Sequence, residues 1–301
     1  MKKLVIAYHG TDQCKDALAL GAQLAKAERA ELHIAPILFY DNEAAEQERF
    51  DALFAEARAA LNGEHIVEHR LREVDAAYAL QELAEKIQPE VIVLGSTHRG
   101  KVGQIMLGGV GERLLNGAPC RVAVAPRGYA DRDHFGAGVI GVGYDDTTES
   151  RMALDAAVEL ARLVGASVRL IAVLPRYSPM PARISGTDLG YSRLVREELE
   201  AAVNDAASKI DVEAEAAIEE GDEVDELAGQ AVELDLLVVG SRGYGPIRRV
   251  LLGGTSTKLM RVCPCPLLIT PRSSEVRDER PDSTPLSVYM GSDSRQRHTA
   301  R

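Results

Sequence analysis

The sequence predicts an α/β protein built from two repeated, doubly wound domains, each a Rossmann-like five-stranded parallel sheet of strand order 3-2-1-4-5. Three observations predict it. The chain matches itself along most of its length; within each copy short continuous apolar runs alternate with amphipathic helical stretches; and Gly-rich connections join some of them.

The repeat comes first because everything else is read in pairs. Ala7 to Leu38 reappears as Gly143 to Leu174, an offset of 136. Near the end of each copy "VIVLGSTHRGKVGQIMLGG" matches "LLVVGSRGYGPIRRVLLGG", and "APCRVAVAP" matches "CPCPLLITP", both at an offset of 145. The growth in offset places extra residues in the second copy, and the Pro-, Ser- and Gly-rich "PRYSPMPARISGTDLGYS" is expected to be that inserted loop.

In the second copy "GVIGVGY" reads as strand 1, and "TESRMALDAAVELARLVG" as a helix with apolar residues at helical spacing, ending in Gly165. "SVRLIAVL" follows as strand 2. A helix "RLVREELEAAVNDAASKI", a strand "VEAEAAI", a helix "DEVDELAGQAVE" and the strand "LDLLVVG" come next, then a Gly-rich connection, the helix "TSTKLMRV" and the strand "PLLIT". Continuous apolar strands with helical crossovers imply a parallel sheet covered on both faces, and right-handed crossovers give the doubly wound order. The expected domains are residues 1–127 and 137–271, joined by a short polar linker at 128–136 and followed by a disordered tail at 272–301 with few large apolar residues.

Composition bounds the function. At 301 residues and 46% apolar content the chain is globular. Its 46 acidic against 35 basic residues argue against nonspecific nucleic-acid binding, which depends on Lys and Arg neutralising phosphates. No apolar run approaches a membrane span, and the N-terminus has no signal-peptide pattern. Four scattered cysteines form no disulfide framework, so a cytoplasmic location is expected.

In a doubly wound sheet the binding crevice lies where strands 1 and 4 part. Strand 1 of the second copy ends at Asp145, and strand 4 ends at Gly240 beside a flexible loop. That loop runs to Gly253 and Gly254, where Thr255 or Ser256 can cap the following helix. A helix N-terminus suits an anion, and Arg242 is placed to reach the same phosphates. An acidic side chain at the far end can accept a hydrogen bond from an adenine amino group or a ribose hydroxyl. The combination is a nucleotide site without a Walker lysine. "GSTHRGK" in the first copy mimics that motif in spacing, but Val102 stands where a Mg²⁺-binding hydroxyl is needed, and its twin "GSRGYGP" has Pro246 in place of Lys101.

The spacing Gly240-x-x-Gly243, nine residues, Gly253, Gly254-Thr255, together with Asp145 and the strand "LIAVLP", resembles the universal stress protein family across roughly residues 1–271. The resemblance implies a tandem member that binds ATP, with Mg²⁺ on its phosphates. It implies that Asp145 and a backbone group of Val173 contact adenine, and that Gly240, Arg242, Gly243, Gly253 and Gly254 hold the phosphates. Gly254 stands where the family prefers Ser or Thr, so Thr255 or Ser256 would have to supply the hydroxyl. The resemblance also implies that the two copies dock through their fifth strands about a pseudo-two-fold axis, with further homodimerisation open.

The first copy departs further. His9 replaces Asp145, His98 replaces Gly243, Val110 and Gly111 replace Thr255 and Ser256, and Glu112 adds a carboxylate in the first turn of the helix. The expectation is one competent ATP site, in the second copy. Asp146 is expected to be a solvated turn residue or helix cap, "REELEAAVND" a solvent-facing surface, and Cys263 and Cys265 buried neighbours of strand 5. Three functions remain open: an ATP-binding stress-response regulatory protein with slow or no hydrolysis, an enzyme of related fold that hydrolyses ATP or transfers adenylyl groups, and a nucleotide-free scaffold. No residue set argues for a catalytic triad or a metal centre.

Overall fold

The computed structural model describes residues 1–38, 43–96, 105, 109–132, 138–174, 187–241 and 254–271. The first repeat runs β1 (Lys3–Tyr8), α1 (Asp12–Glu28), β2 (Glu31–Leu38), α2 (Glu43–Ala60), β3 (Ile66–Glu68), β4 (Leu71–Arg72), α3 (Ala76–Ile87), β5 (Val91–Gly95), α4 (Gly109–Leu115) and β6 (Arg121–Ala125). The second runs β7 (Val139–Gly143), α5 (Thr148–Val164), β8 (Ser167–Leu174), α6 (Thr187–Lys209), β9 (Ala214–Glu220), α7 (Glu223–Gln230), β10 (Leu236–Gly240), α8 (Gly254–Val262) and β11 (Leu267–Thr270).

The strands lie in the order β3-β2-β1-β5-β6-β11-β10-β7-β8-β9, with β4 pairing β2. Counting β3 and β4, which pair successive parts of β2, as one third strand, each half has the order 3-2-1-4-5, and every strand pair within a half is parallel. The halves meet where β6 runs antiparallel to β11, with Leu267 opposite Val124, Leu268 opposite Ala123 and Ile269 opposite Val122. At the repeat offset Val122 corresponds to Leu267 and Val124 to Ile269, so the register is self-complementary about the Ala123–Leu268 pair, as an isologous contact requires.

Both faces of the sheet are covered. Leu4 and Ile6 face the layer of α1, α2, α5 and α6, while Val5, Ile92 and Leu94 face α3, α4, α7 and α8. This is why the strands read as continuous apolar runs and not as alternating ones. Helix α6 begins at Thr187, inside the stretch expected as an inserted loop. The single Gly190 costs only about 1 kcal/mol in a helix, too little to stop the turn from extending an otherwise favourable segment. The acidic helix is also more than a solvent face, since Leu199, Val203 and Ala206 form a buried stripe at helical spacing.

The segment after the first repeat begins as a docked turn. The buried Asp16 carboxylate of α1 accepts hydrogen bonds from the backbone N–H groups of Gly128 (2.9 Å) and Ala130 (2.8 Å). The Tyr129 hydroxyl donates to Gln23 at 2.6 Å. The expected disordered tail lies outside the described residues.

A buried histidine pair is expected to make the first repeat sensitive to acid. On β2 the buried His33 shares a hydrogen bond with His69, Nδ1 to Nε2 at 2.7 Å, and its Nε2 lies 3.1 Å from Glu31. Burial lowers the pKa of both rings; Lys3 acts in the same direction on both, His33 and Lys86 act further on His69, and Glu31 opposes. A folded-state pKa below the unfolded one means the unfolded chain binds more protons, so this contribution is present above about pH 6.5 and is lost as pH falls through the lowered values. The melting temperature should therefore drop between about pH 7 and pH 5, with a shallower slope in His33→Gln; equal slopes would remove the pair from the explanation.

Candidate functional site

At the carboxyl ends of β7 and β10 the second repeat has a cavity of about 150 Å³, lined among others by Asp145, Val173, Gly240, Thr255 and Ser256. Five of the nine residues expected at a nucleotide site thus meet on one wall system although they come from four separate segments. Asp145 lies two residues past the end of β7, and its Oδ1 accepts from the Thr147 backbone N–H (3.3 Å) and hydroxyl (2.5 Å). Thr147 in turn caps α5, its Oγ1 accepting from the Ser150 N–H at 3.2 Å. The carboxylate is thereby held at the mouth of the crevice by the turn that starts the helix.

Asp146 sits in the turn between β7 and α5, as expected, but it is not the helix cap and its carboxylate is ion-paired, not simply solvated. Its backbone is left-handed (φ 59°), a conformation Asp tolerates better than most residues. Its carboxylate accepts from the Tyr144 hydroxyl (3.0 Å) and from the Arg151 guanidinium (2.7 and 3.0 Å), while Thr147 is the cap.

Val173 matters through its backbone. Along a strand the N–H and C=O groups of successive residues point to alternate neighbours. Ser167 N–H and Ile171 C=O bond toward the β7 side, Val168 N–H and Leu174 C=O toward the β9 side. Val173 therefore presents its N–H and C=O toward β7, but the β7–β8 ladder ends at Gly143 opposite Ile171. Its polar edge opens into the crevice beside Asp145.

At the other end of the cavity α8 begins at Gly254. The Thr255 hydroxyl donates to Glu223 of α7 at 2.8 Å, and the Ser256 hydroxyl lies 3.5 Å from the Gly240 carbonyl oxygen. Apolar side chains of Ile171, Leu227, Val239 and Leu259 complete the walls. Glu223, Glu149 and Tyr144 also line the cavity and were not found by sequence reasoning. The signal for Glu223 is positional: it follows Asp222, the cap of α7, as Ala76 follows Asp75, the cap of α3. Arg242, Gly243 and Gly253 lie outside the described residues, as does His98.

The first repeat holds the matching cavity, of about 300 Å³, lined by residues at the same repeat positions. There His9 stands for Asp145, Cys14 for Ser150, Gln13 for Glu149, Ala76 for Glu223, and Val110 and Gly111 for Thr255 and Ser256. Every exchange removes a carboxylate or a hydroxyl. Glu112 is not among the residues that line this cavity; its carboxylate lies 3.5 Å from Arg261 of α8, across the repeat boundary.

The universal stress protein family model matches residues 1–126 and again residues 137–271. The chain belongs to the universal stress protein family. This tandem universal stress protein is 27% identical over 224 residues to a universal stress protein of Mycobacterium tuberculosis strain H37Rv, covering 71% of this chain and 75% of that one. Among solved structures, a universal stress protein from Archaeoglobus fulgidus superposes with a TM-score of 0.64 at 17% identity, covering 90% of this chain and 98% of the other. One from Pseudomonas aeruginosa, described as a putative universal stress protein, gives 0.62 at 17% identity over 90% and 94%. At that identity the two structures establish a common two-repeat fold and nothing of the ligand.

Within this universal stress protein the two glycines of the second site differ in kind. A Cβ on Gly240 would sit 2.6 Å from the Glu149 carbonyl oxygen, so glycine is required there by the close approach of α5 to β10. Among the described residues, a Cβ on Gly254 would meet nothing within 4 Å. The start of α8 therefore has room, among the described residues, for the Ser or Thr that the sequence resemblance implies there. Among the described residues no group of three or more His, Cys, Asp or Glu side chains is placed to hold a metal ion, and no helix is long and apolar enough to cross a membrane.

Proposed function

We propose that this universal stress protein is a cytoplasmic regulatory protein that binds one ATP per chain, in the second repeat. The observation that carries the reading is the convergence of the Asp145 carboxylate, the open backbone edge of Val173 and the N-terminus of α8 on one cavity. The acceptor and backbone edge suit the amino and ring nitrogens of adenine, and the α8 end suits phosphate. Arg242, Gly243 and Gly253 complete the phosphate end in this reading. Glu149 and Glu223 on the cavity wall repel a bare triphosphate, and Mg²⁺ on the phosphates offsets them. The nucleotide acts as a bound ligand that favours one conformation, and the β6–β11 ladder makes one chain the equivalent of a dimer.

Mass spectrometry of small molecules released on denaturing the purified protein should find ATP, and titration calorimetry on stripped protein should give one site. Two equal sites, or no nucleotide at millimolar ATP, would overturn the reading. Gly254→Ser should tighten ATP binding by about tenfold to about a hundredfold, the effect of one added hydrogen bond to a charged phosphate, without lowering the melting temperature. Unchanged affinity would place the phosphates away from the start of α8.

A further inference from the structure

The first repeat lacks the carboxylates and several of the hydroxyls that line the second repeat's cavity, but the groups in their place have a chemistry of their own. Two positions have changed as a pair: Asp145 and Ser150 of the second repeat are His9 and Cys14 in the first. The Cys14 sulfur accepts the His9 backbone N–H at 3.3 Å and lies 3.6 Å from the Thr11 hydroxyl, and the cavity that Cys14 lines is lined by His9 as well. Cys14 is the third residue of α1, in the first turn, where the free N–H groups and the dipole favour a negative sulfur. Burial by itself would raise this thiol, but the His9 contacts and the backbone donors bring it down to about 7.

The geometry points to Cys14 as a peroxide-reactive thiolate, with His9 as its proton partner, on the wall of the first repeat's cavity. The Cys14 thiolate attacks the terminal oxygen of a small hydroperoxide. The S–O bond forms as the O–O bond breaks, and the departing alkoxide or hydroxide takes the proton of the His9 imidazolium. Cysteine is oxidised by two electrons to sulfenic acid and the hydroperoxide is reduced to alcohol or water. The apolar side chains of Ile37, Leu80, Leu94 and Val110 on the same wall suit an uncharged reactant. The remaining thiols are placed differently. Cys120 is pushed up to about 12 by burial; Cys263 is lowered by its contact with Cys265, their sulfurs 3.7 Å apart, but it is fully buried, and neither of the two lines either cavity.

The test treats the folded full chain with hydrogen peroxide or tert-butyl hydroperoxide in the presence of dimedone and maps the adducts by peptide mass spectrometry. The expected result is an adduct first at Cys14, absent in Cys14→Ser, and formed more slowly in His9→Gln, on the order of tenfold. Serine is the residue at the matching position of the second repeat, so this variant should fold; a circular dichroism melt checks it. Iodoacetamide alkylation of the unsubstituted protein gives a second reading, with Cys14 expected to react before the other three. Adducts spread evenly over the four cysteines, no adduct on the folded protein, or a Cys14 rate unchanged by His9→Gln would each overturn the assignment. ATP binding at the second repeat is independent of these outcomes.

Discussion

Gly240→Ala is expected to destabilise the protein by about 1–3 kcal/mol, while Gly254→Ala, fourteen residues on in the same glycine pattern, leaves the melting temperature unchanged or raises it slightly. The difference follows from what each position touches. An added methyl at Gly240 would lie 2.6 Å from the Glu149 carbonyl oxygen, 2.7 Å from its carbon and 2.8 Å from its Cβ. Two of those are backbone atoms of the first turn of α5, so relief requires the helix to shift away from β10. That shift would disturb the Asp145–Thr147–Ser150 turn as well, and nucleotide affinity should fall with stability. The same packing recurs in the first repeat, where a Cβ on Gly95 would overlap the Gln13 carbonyl. Thermal and urea melts decide the matter: Gly240→Ala melting like the unsubstituted protein would show that α5 yields easily and that this glycine serves only a ligand.

The glycine pattern shows what the sequence made legible and what it did not. The repeat and the period of apolar runs identify each domain and its strand order, because parallel strands buried on both faces have few ways to be arranged. They also place Asp145, Gly240, Thr255 and Ser256 together, since the ends of strands 1 and 4 must adjoin. Sequence spacing does not reveal why a glycine is needed, and Gly240 is required by a helix passing overhead. Val173 was reached through resemblance alone, whereas its physical role rests on the length by which β8 outruns β7. Helix α6 began earlier than its loop-like composition suggested, and Asp146 found partners in Tyr144 and Arg151 that no local rule supplies. The pairing of Cys14 with Ser150 was present in the repeat offset. It gained meaning only when His9 was found beside it on the wall of a cavity.

Asp145→Ala should weaken ATP binding by about tenfold to about a hundredfold, the range expected for losing a hydrogen bond to a charged acceptor. The carboxylate also holds the Thr147 N–H and hydroxyl, so part of any loss can come from loosening the start of α5. Asp145→Asn separates the two effects, because the amide oxygen can still accept from Thr147 and from an adenine amino group while the charge is gone. Its affinity should fall less than that of Asp145→Ala, and its melting temperature should stay near that of the unsubstituted protein. The matched substitution in the other repeat, His9→Ala, should leave both ATP affinity and the one-to-one stoichiometry as they are. If calorimetry instead finds binding weakened by His9→Ala and indifferent to Asp145→Ala, the nucleotide belongs in the larger first cavity. The loss of carboxylates there would then be an adaptation to a triphosphate rather than a departure from one.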